Sequence, residues 1–305
     1  MELTQLRYFT AVADTKNFTE AAARLHVSQP ALSYQIKRLE NELGARLFDR
    51  TSRKVSLTVD GHTFLPLAQM VLFKVEEASS VMEDRLGVMT GSVRLGCIPS
   101  AAAYIVPSVL ASFNRNFPGV TVSLLESGAA ALERGVRDGS ADLAIIADPN
   151  SPENLDVTPL LTEDLLLAVP AHHRLASRDS VSLTELADEP FIMLGGAFTL
   201  GTHVTEACRR AGFEPRVAYE TGGLDSVKSF VRHDLGISVL PRMALRPTDD
   251  DTLVLVPFTE PLTRDLNLIR NRDRYASVAT RALMVHIRTS ALSNQSPATR
   301  ALMRE

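Results

Sequence analysis

Polar side chains suited to contact with nucleic acid are concentrated between Ser28 and Lys37. Within this stretch Gln29, Ser33, Tyr34 and Lys37 follow the helical period and would share one face of a helix. Amide and hydroxyl groups match the hydrogen-bonding edges of bases, and a lysine matches phosphates. The residue types and their spacing therefore predict a helix that contacts DNA through its polar face.

Two short helices joined at an abrupt corner are predicted over residues 17–40. Thr19 and Ser28 are the predicted N-caps, and Pro30 fits the first turn of the second helix, where its missing N–H costs nothing. The apolar residues that mark the buried sides are Ala21, Ala22, Leu25, Val27, Leu32, Ile36 and Leu39. The pattern predicts a helix-turn-helix. The alternative is an ordinary helical hairpin in an all-α core.

A small hairpin wing is predicted over residues 50–57, after Gly44 ends the second helix. Arg50, Arg53 and Lys54 would bring positive charge to the phosphates at this wing. A first helix ahead of the motif has its apolar face on Leu3, Leu6, Phe9, Val12 and Ala13. These features favour a winged helix-turn-helix over the all-α core.

A series of residues at fixed spacing continues through the first 61 positions. It includes Leu6-Arg7-Tyr8-Phe9, Phe18-Thr19-Glu20-Ala21-Ala22, Ser28-Gln29-Pro30-Ala31-Leu32-Ser33, Leu43-Gly44, Leu47-Phe48, Arg50, Leu57-Thr58 and Gly61. The series resembles the LysR-type transcriptional regulators, and a looser likeness extends to about residue 290. The resemblance implies an α+β multidomain protein with an N-terminal winged helix-turn-helix, a long linker helix and a two-lobed α/β effector domain of periplasmic-binding-protein type.

The resemblance also implies partners. Such a protein would bind promoter DNA as a homodimer or homotetramer, respond to a small-molecule effector and act with RNA polymerase. In that family the residues at the positions of Gln29, Pro30, Ser33 and Tyr34 approach bases, and a wing arginine enters the minor groove. Relatives often have arginine at position 34, so Tyr34 is expected to stack or to contact a methyl group.

The charge of the chain is unevenly distributed. The whole sequence has 305 residues and a formal net charge of −4, but residues 1–60 hold 9 Lys and Arg against 7 Asp and Glu. The basic surplus lies in the predicted DNA-binding segment and is small, so strong affinity for DNA would require two or more copies. The length suggests two or three folding units.

A long helix is predicted from Thr58 to about Gly87. Its apolar stripe consists of Phe64, Leu67, Val71, Val75, Ala78, Met82 and Leu86. The stripe resembles a coiled-coil seam, and left uncovered it would be an exposed apolar patch. We expect antiparallel dimerisation through this helix. The alternative is packing against the second domain of the same chain.

Alternating strands and helices after the hinge at residues 87–92 predict a parallel sheet in an α/β layer. Two of the predicted helices run from about Ala101 to Phe117 and from about Thr202 to Ala211. The predicted domains are the winged helix-turn-helix at 1–58, the linker helix and hinge at 59–90, the effector domain at 91–293 and a mobile tail at 294–305. Lobe I would comprise 91–162 and 267–293, and lobe II 163–266.

Hydroxyl groups near the ends of predicted strands indicate a ligand site, since ligands of open α/β sheets bind there. Ser100 and Ser127 follow the first two strands of the effector domain, and a glycine-rich loop carries Phe198, Thr199 and Thr202. In the family, positions matching Ser100, Ser127 and the loop around Thr199 and Thr202 line the interlobe cleft. Phe198 would either form an apolar wall of the cleft or only pack within the lobe. The alternative for each hydroxyl is a plain helix cap.

The residue at position 147 bears on the charge of the effector. Several relatives that bind aromatic carboxylates have an arginine after the third strand, where this chain has Ala147. The difference argues against a strongly anionic effector.

No motif for catalysis or cofactor binding is present. The sequence lacks a His-Glu-x-x-His motif, a phosphate-binding loop with lysine and a nucleophile elbow. We therefore expect neither an enzyme nor a cofactor or metal site. Two alternatives remain: a cytosolic small-molecule-binding module without DNA recognition, and a transferase or hydrolase that uses the cleft.

The two cysteines, Cys97 and Cys208, lie far apart in the sequence. No signal peptide and no apolar stretch of about 18 residues is present, so a cytoplasmic location with reduced thiols is expected. The peroxide-sensing branch of the family has a cysteine pair close together in the second lobe, where only Cys208 falls here. Both cysteines are expected to be small buried apolar residues, and disulfide sensing is not expected.

Overall fold

The computed structural model describes residues 1–51, 54–85, 90–149, 151–195, 198–244 and 252–293. The chain divides into two compact units, Met1–Val88 with Asp138–Ser140 and Met89–Arg137 with Ala141–Glu305. Among the described residues, no helix is both long and apolar enough to cross a membrane. The domain boundaries predicted from the sequence stay predictions.

The first unit is a winged helix-turn-helix followed by a long helix. Its elements are α1 (Leu3–Thr15), α2 (Phe18–Arg24), α3 (Gln29–Leu43), β1 (Phe48–Thr51), β2 (Lys54–Leu57) and α4 (Val59–Arg85). The two strands pair antiparallel, with Phe48 opposite Leu57 and Thr51 opposite Lys54. The wing therefore begins two residues earlier than predicted. Helix α4 is continuous although Pro66 lies within it.

Side-chain caps set the corner between α2 and α3. The Oγ of Ser28 accepts a hydrogen bond from the Ala31 backbone N–H at 3.4 Å, as predicted. The prediction for Thr19 was wrong, because Asn17 caps α2: its Oδ1 accepts from the backbone N–H groups of Thr19 and Glu20 at 2.9 and 3.3 Å. At the other end of α3, Gly44 adopts the left-handed conformation with φ +68° that favours glycine.

A buried aromatic cluster ties the wing to α1 and α4. The ring of Phe9 lies 5.3 Å, centroid to centroid, from both Phe48 and Phe64. Leu32, Ile36 and Leu39 of α3 are fully buried in the same apolar core. Because one face of α3 is fixed in this core, its opposite face is held in solvent.

Gly61 lies where α4 passes close to the backbone before the wing. A Cβ atom on residue 61 would stand 2.1 Å from the carbonyl oxygen of Leu47. Hydrogen bonds hold this approach: Thr58 N–H donates to the Leu47 oxygen at 3.0 Å, and Gly61 N–H donates to Thr58 Oγ1 at 2.9 Å. Only glycine fits here without displacing the backbone.

The second unit is an α/β domain. Its elements are β3 (Gly91–Cys97), α5 (Pro99–Tyr104), α6 (Val106–Asn116), β4 (Val120–Glu126), α7 (Ala129–Asp138), β5 (Leu143–Ala147), β6 (Leu155–Pro170), β7 (Pro190–Leu194), α8 (Thr199–Arg210), β8 (Arg216–Thr221), α9 (Leu224–Arg232), β9 (Ser238–Pro241), β10 (Leu253–Val256), β11 (Leu262–Asn271) and α10 (Val278–Ser293). Short 3₁₀ helices occur at Leu183–Leu186 and Arg242–Ala244.

One sheet runs through this unit in the order β10-β6-β11-β5-β3-β4, with β9 also paired to β6. Strand β3 is parallel to β4 and β5, whereas β6 and β11 are antiparallel and pair from Leu165–Leu262 to Leu155–Asn271. The strands β7 and β8 form a separate parallel pair. The parallel arrangement predicted for the first strands of the domain is confirmed for β3, β4 and β5. The whole sheet is mixed, because β6 and β11 run antiparallel to each other and β11 runs antiparallel to β5.

Two separate apolar cores define the two lobes. One core is built on β3, β5 and α10, and the other on β7, β9 and α9. The strands β6 and β11 contribute to both. Leu160 of β6 and Leu268 of β11 belong to the first core, Leu165 of β6 belongs to the second core, and Leu262 of β11 packs against the second core. These two strands are therefore the connection between the lobes.

Two helix predictions in this unit were wrong. The helix predicted over 101–117 is broken at Ile105 into α5 and α6, because Pro107 in the first turn of α6 has no N–H to continue the earlier helix. Helix α8 begins at Thr199 rather than near Thr202. Its early start is compatible with the absence of a side chain at Gly201, where a Cβ atom would stand 2.2 Å from the Leu194 carbonyl oxygen.

Candidate DNA-binding surface and effector cavity

The solvent face of α3 carries the residues predicted to contact bases. Gln29, Pro30, Tyr34 and Lys37 are exposed, and Ser33 is half-buried. Tyr34 has 63% of its surface exposed, so its ring is unusually accessible for an aromatic side chain. The structure thus brings these five residues to one exposed side of the helix, while their contacts with DNA stay predictions.

The side chains of Gln29 and Ser33 are hydrogen-bonded to each other in the absence of DNA. Gln29 Nε2 donates a hydrogen bond to Ser33 Oγ at 2.9 Å. This bond uses one amide hydrogen and leaves Oε1 and the second hydrogen free to face outward. A glutamine in that state can bond two groups on one base edge, the arrangement that glutamine makes with adenine.

Glu40 fixes the wing against α3. Its Oε1 accepts hydrogen bonds from the backbone N–H groups of Leu47 and Phe48 at 2.9 and 3.2 Å. In the wing, Arg50 lies opposite Val55. Lys54 begins β2, and Arg53 lies outside the described residues. The predicted phosphate contacts of Arg50, Arg53 and Lys54 therefore stay predictions.

One side of α4 is apolar and exposed. Of the predicted stripe, Leu67, Val71 and Met82 are 52%, 41% and 60% exposed, whereas Phe64 packs in the core of the first unit. Met70, also 44% exposed, extends the same surface into a shallow groove. Leu86 lies outside the described residues. The described part of the first unit leaves this surface uncovered.

A cavity between the lobes collects three of the five predicted effector residues. Ser100 at the start of α5 lines it from lobe I, and Phe198 and Thr199 line it from lobe II. Ser127 is half-buried and Thr202 is exposed, and neither lines this cavity. The cavity volume is about 20 Å³, which is close to the space of a single water molecule.

A buried ion pair that the sequence analysis missed lies beside Ser100. Arg264 on β11 also lines the cavity, and only 4% of its surface is exposed. Its Nε donates to Glu163 Oε1 at 2.7 Å, and its Nη2 donates to the same oxygen and to Ser100 Oγ at 3.0 Å. Residues 163 and 264 are distant in sequence, and each strand carries other charged residues as well, so no local signal identified this pair.

Burial and the neighbouring charge have opposite effects on the pKa of the Glu163 carboxyl. Burial raises the pKa of Glu163 above its ordinary value, and the adjacent Arg264 guanidinium opposes that rise. Glu163 Oε2 is buried and finds no hydrogen-bond donor among the described residues. Arg264 therefore provides the principal compensation for this carboxylate.

The two cysteines are buried in different lobes. Cys97 belongs to the core of lobe I and Cys208 to that of lobe II, and both are fully buried free thiols. Burial raises the pKa of Cys97 to about 12 and that of Cys208 to about 11. The predicted apolar packing is confirmed, and both groups are protonated thiols at neutral pH.

We expect both thiols to resist alkylation in the folded protein, because the thiolate is the reacting form. Raised pKa values confine the thiolate to strongly alkaline solution, so iodoacetamide at pH 8 should add to neither Cys97 nor Cys208 without denaturant. In urea both should react, and mass spectrometry would count the adducts. Rapid labelling of Cys208 in the native protein would contradict its burial.

Both units resemble known protein families. Residues 3–62 match the family described as bacterial regulatory helix-turn-helix protein, lysR family, and residues 87–292 match the LysR substrate binding domain. The HTH-type transcriptional regulator YwbI of Bacillus subtilis is 37% identical over 290 residues, which cover 95% of this chain and 96% of that protein.

Regulators named OxyR are also similar to this chain. The DNA-binding transcriptional dual regulator OxyR of Escherichia coli is 32% identical over 265 residues, or 87% of each chain. A full-length OxyR variant from Pseudomonas aeruginosa has a similar structure, with a TM-score of 0.72 and 28% identity over 95% of this chain and 94% of that chain.

Proposed function

Because the chain belongs to the LysR family of bacterial transcriptional regulators, we propose that it binds promoter DNA as a homodimer or homotetramer through the polar face of α3. It is a DNA-binding transcriptional regulator with an effector-binding domain and not an enzyme. The observation that carries the proposed contact is the exposed face of α3, on which Ser33 holds the Gln29 amide. We place the protein in the cytoplasm, where RNA polymerase acts on the promoter.

The apolar surface of α4 supports assembly with a second copy. Leu67, Val71 and Met82 expose large side chains along one side of the helix, and such a row is costly to leave in water. Pairing this surface with the same surface of a second chain forms a symmetric interface. Two chains bring two α3 helices to two half-sites, which compensates for the small basic surplus of each DNA-binding segment.

The cavity beside Ser100 supports control by a small molecule. It is lined from both lobes, so a ligand that fills it changes the distance between them. A ligand shifts the protein toward the lobe arrangement that it binds more tightly. In the proposed mechanism this shift alters the spacing of the DNA-binding segments on the promoter. Ser127 and Thr202 join the ligand site only if the lobes rearrange.

The assigned role of Gln29 is tested by Gln29→Ala on a duplex that the wild-type protein selects from a random library. Loss of the amide should weaken binding by roughly 5- to 150-fold and relax sequence preference at one base pair in each half-site. Fluorescence anisotropy with single-base variants of the duplex measures both effects.

Lys37→Ala is the contrasting variant. It should weaken binding to all duplexes alike and reduce the dependence of affinity on salt, because a lysine would contact phosphate. Equal affinity of both variants and the wild type would reject α3 as the reading helix. A wild-type protein that selects no sequence would favour the small-molecule-binding module without DNA recognition.

A further inference from the structure

The charged group that the effector cavity presents to a ligand is the Arg264 guanidinium, whose charge is neutralised by Glu163. Arg264 is the one charged side chain in the described part of the cavity lining. Its guanidinium has five N–H groups. The Nε group is bonded to Glu163, and Nη2 is bonded to Glu163 and Ser100. For Nη1 the described residues provide no acceptor, so its two N–H groups remain available.

Apart from the hydroxyl residues Ser100 and Thr199, the side chains in the remaining lining of the cavity are apolar. Ile98 and Leu224 line it together with Leu194, Phe198 and Leu200. These walls exclude water around the Arg264–Glu163 pair, of which each member is more than nine-tenths buried. A hydrogen-bond acceptor on a ligand can meet Nη1 there, while the rest of the ligand contacts hydrocarbon.

The charge of Glu163 decides which acceptor is favoured. A ligand carboxylate would add a second negative charge to a guanidinium that already holds one, and an uncompensated buried charge lowers affinity by more than roughly a hundredfold. The starts of α7 and α8 also line the cavity, at Ala129 and Thr199, and favour an anion. Each helix start contributes less, typically up to roughly fivefold. The buried carboxylate therefore outweighs them.

We propose that the cavity selects an uncharged, largely apolar molecule with a hydrogen-bond acceptor, and that Glu163 is the residue that sets this selectivity. The proposal rests on the proposed function, since it concerns the ligand of the same cavity. Glu163 acts through Arg264 and is a positioning residue, while the Arg264 Nη1 group is the one that contacts the ligand. The cavity is small in this structure, so the lobes separate to admit such a molecule.

The wild-type test uses the full-length protein and pairs of probes that differ only in charge. Hexanamide is compared with hexanoate, and benzamide with benzoate, at pH 7.5 and constant ionic strength. Thermal shift and isothermal titration calorimetry measure binding. Each amide should bind at least tenfold more tightly than its carboxylate. Equal or tighter binding of the carboxylates, or no binding by either amide at 50 mM, would overturn the proposal.

The variant Glu163→Gln tests the source of the selectivity. The glutamine amide oxygen still accepts from Arg264, but the guanidinium charge is no longer neutralised, so the carboxylate of each pair should now bind at least tenfold more tightly than the amide. An unchanged preference in folded E163Q would overturn the role of Glu163. If E163Q fails to fold, the wild-type comparison still decides the class of ligand.

Asp164→Asn is the matched control. Asp164 is adjacent in β6 and pairs with Arg242 at 3.0 Å on the surface, away from the cavity lining. D164N removes the same charge and should preserve the preference for amides. A reversal in D164N as strong as in E163Q would show that overall charge, rather than the buried pair, controls selectivity. Failure of the proposed function would instead appear as loss of sequence-dependent DNA binding, which these probes do not measure.

Discussion

Gly61→Ala should strongly weaken sequence-specific DNA binding by disrupting the junction between the wing and α4. The new Cβ atom would stand 2.1 Å from the Leu47 carbonyl oxygen, so backbone rather than a side-chain end must move. We expect a loss of about 3 kcal/mol in the stability of the first unit, the upper part of the range for overpacking. Binding to the selected duplex should fall more than roughly a hundredfold, which anisotropy would measure.

Gly44→Ala separates this steric effect from a general effect of removing glycine. Gly44 has φ +68°, but no neighbouring atom lies within 4 Å of a Cβ placed there. The cost should be only the left-handed backbone conformation, about 1–2 kcal/mol. Circular dichroism during urea unfolding gives both values. If G61A is no less stable than G44A, the close approach to Leu47 is not a constraint in solution.

Arg264→Met should strongly destabilise the effector domain. The substitution leaves the Glu163 carboxylate buried without its cation, and breaking one partner of such a pair costs about 3–5 kcal/mol. It also removes the bond from Arg264 to Ser100, which links β11 to the start of α5. Urea unfolding followed by circular dichroism should show an earlier transition for R264M.

Two control variants test whether the unpaired Glu163 carboxylate causes the destabilisation expected for R264M. Arg242→Met removes an exposed partner of Asp164 and should cost less than about 1 kcal/mol. The double substitution Glu163→Leu with Arg264→Met removes both charges and should recover most of the stability, because apolar replacements of buried pairs are often neutral. If the double variant is as unstable as R264M, lost packing rather than an unpaired carboxylate explains the effect.

The features that the sequence predicted well depend on neighbouring residues. Ser28, Pro30 and Gly44 set the ends of α3 through contacts within one turn, and their residue types disclose this. The prediction that Thr19 caps α2 was wrong because Asn17, two residues earlier, is an equally good capping residue. The residue at which the helix starts determines which of the two is the N-cap. Local signals therefore fix which elements exist better than where they begin.

The candidate effector site was only partly predictable. Ser100, Phe198 and Thr199 could be placed near the cavity because each follows the carboxyl end of a strand, where ligands of α/β sheets bind. Arg264 and Glu163 could not, since their contact depends on how β6 pairs with β11 over a separation of 101 residues. The register of that pairing is set by tertiary packing and leaves no local signal in the sequence.

The long pairing of β6 with β11 determines how the effector domain unfolds. Each strand supplies side chains to both cores, and their hydrogen-bonded ladder runs from Leu262 to Asn271 without passing through a loop. One lobe cannot unfold and leave the other intact, because its loss would remove the packing that this lobe gives to the shared strands. The domain should therefore unfold cooperatively, as a single thermodynamic unit with two hydrophobic centres.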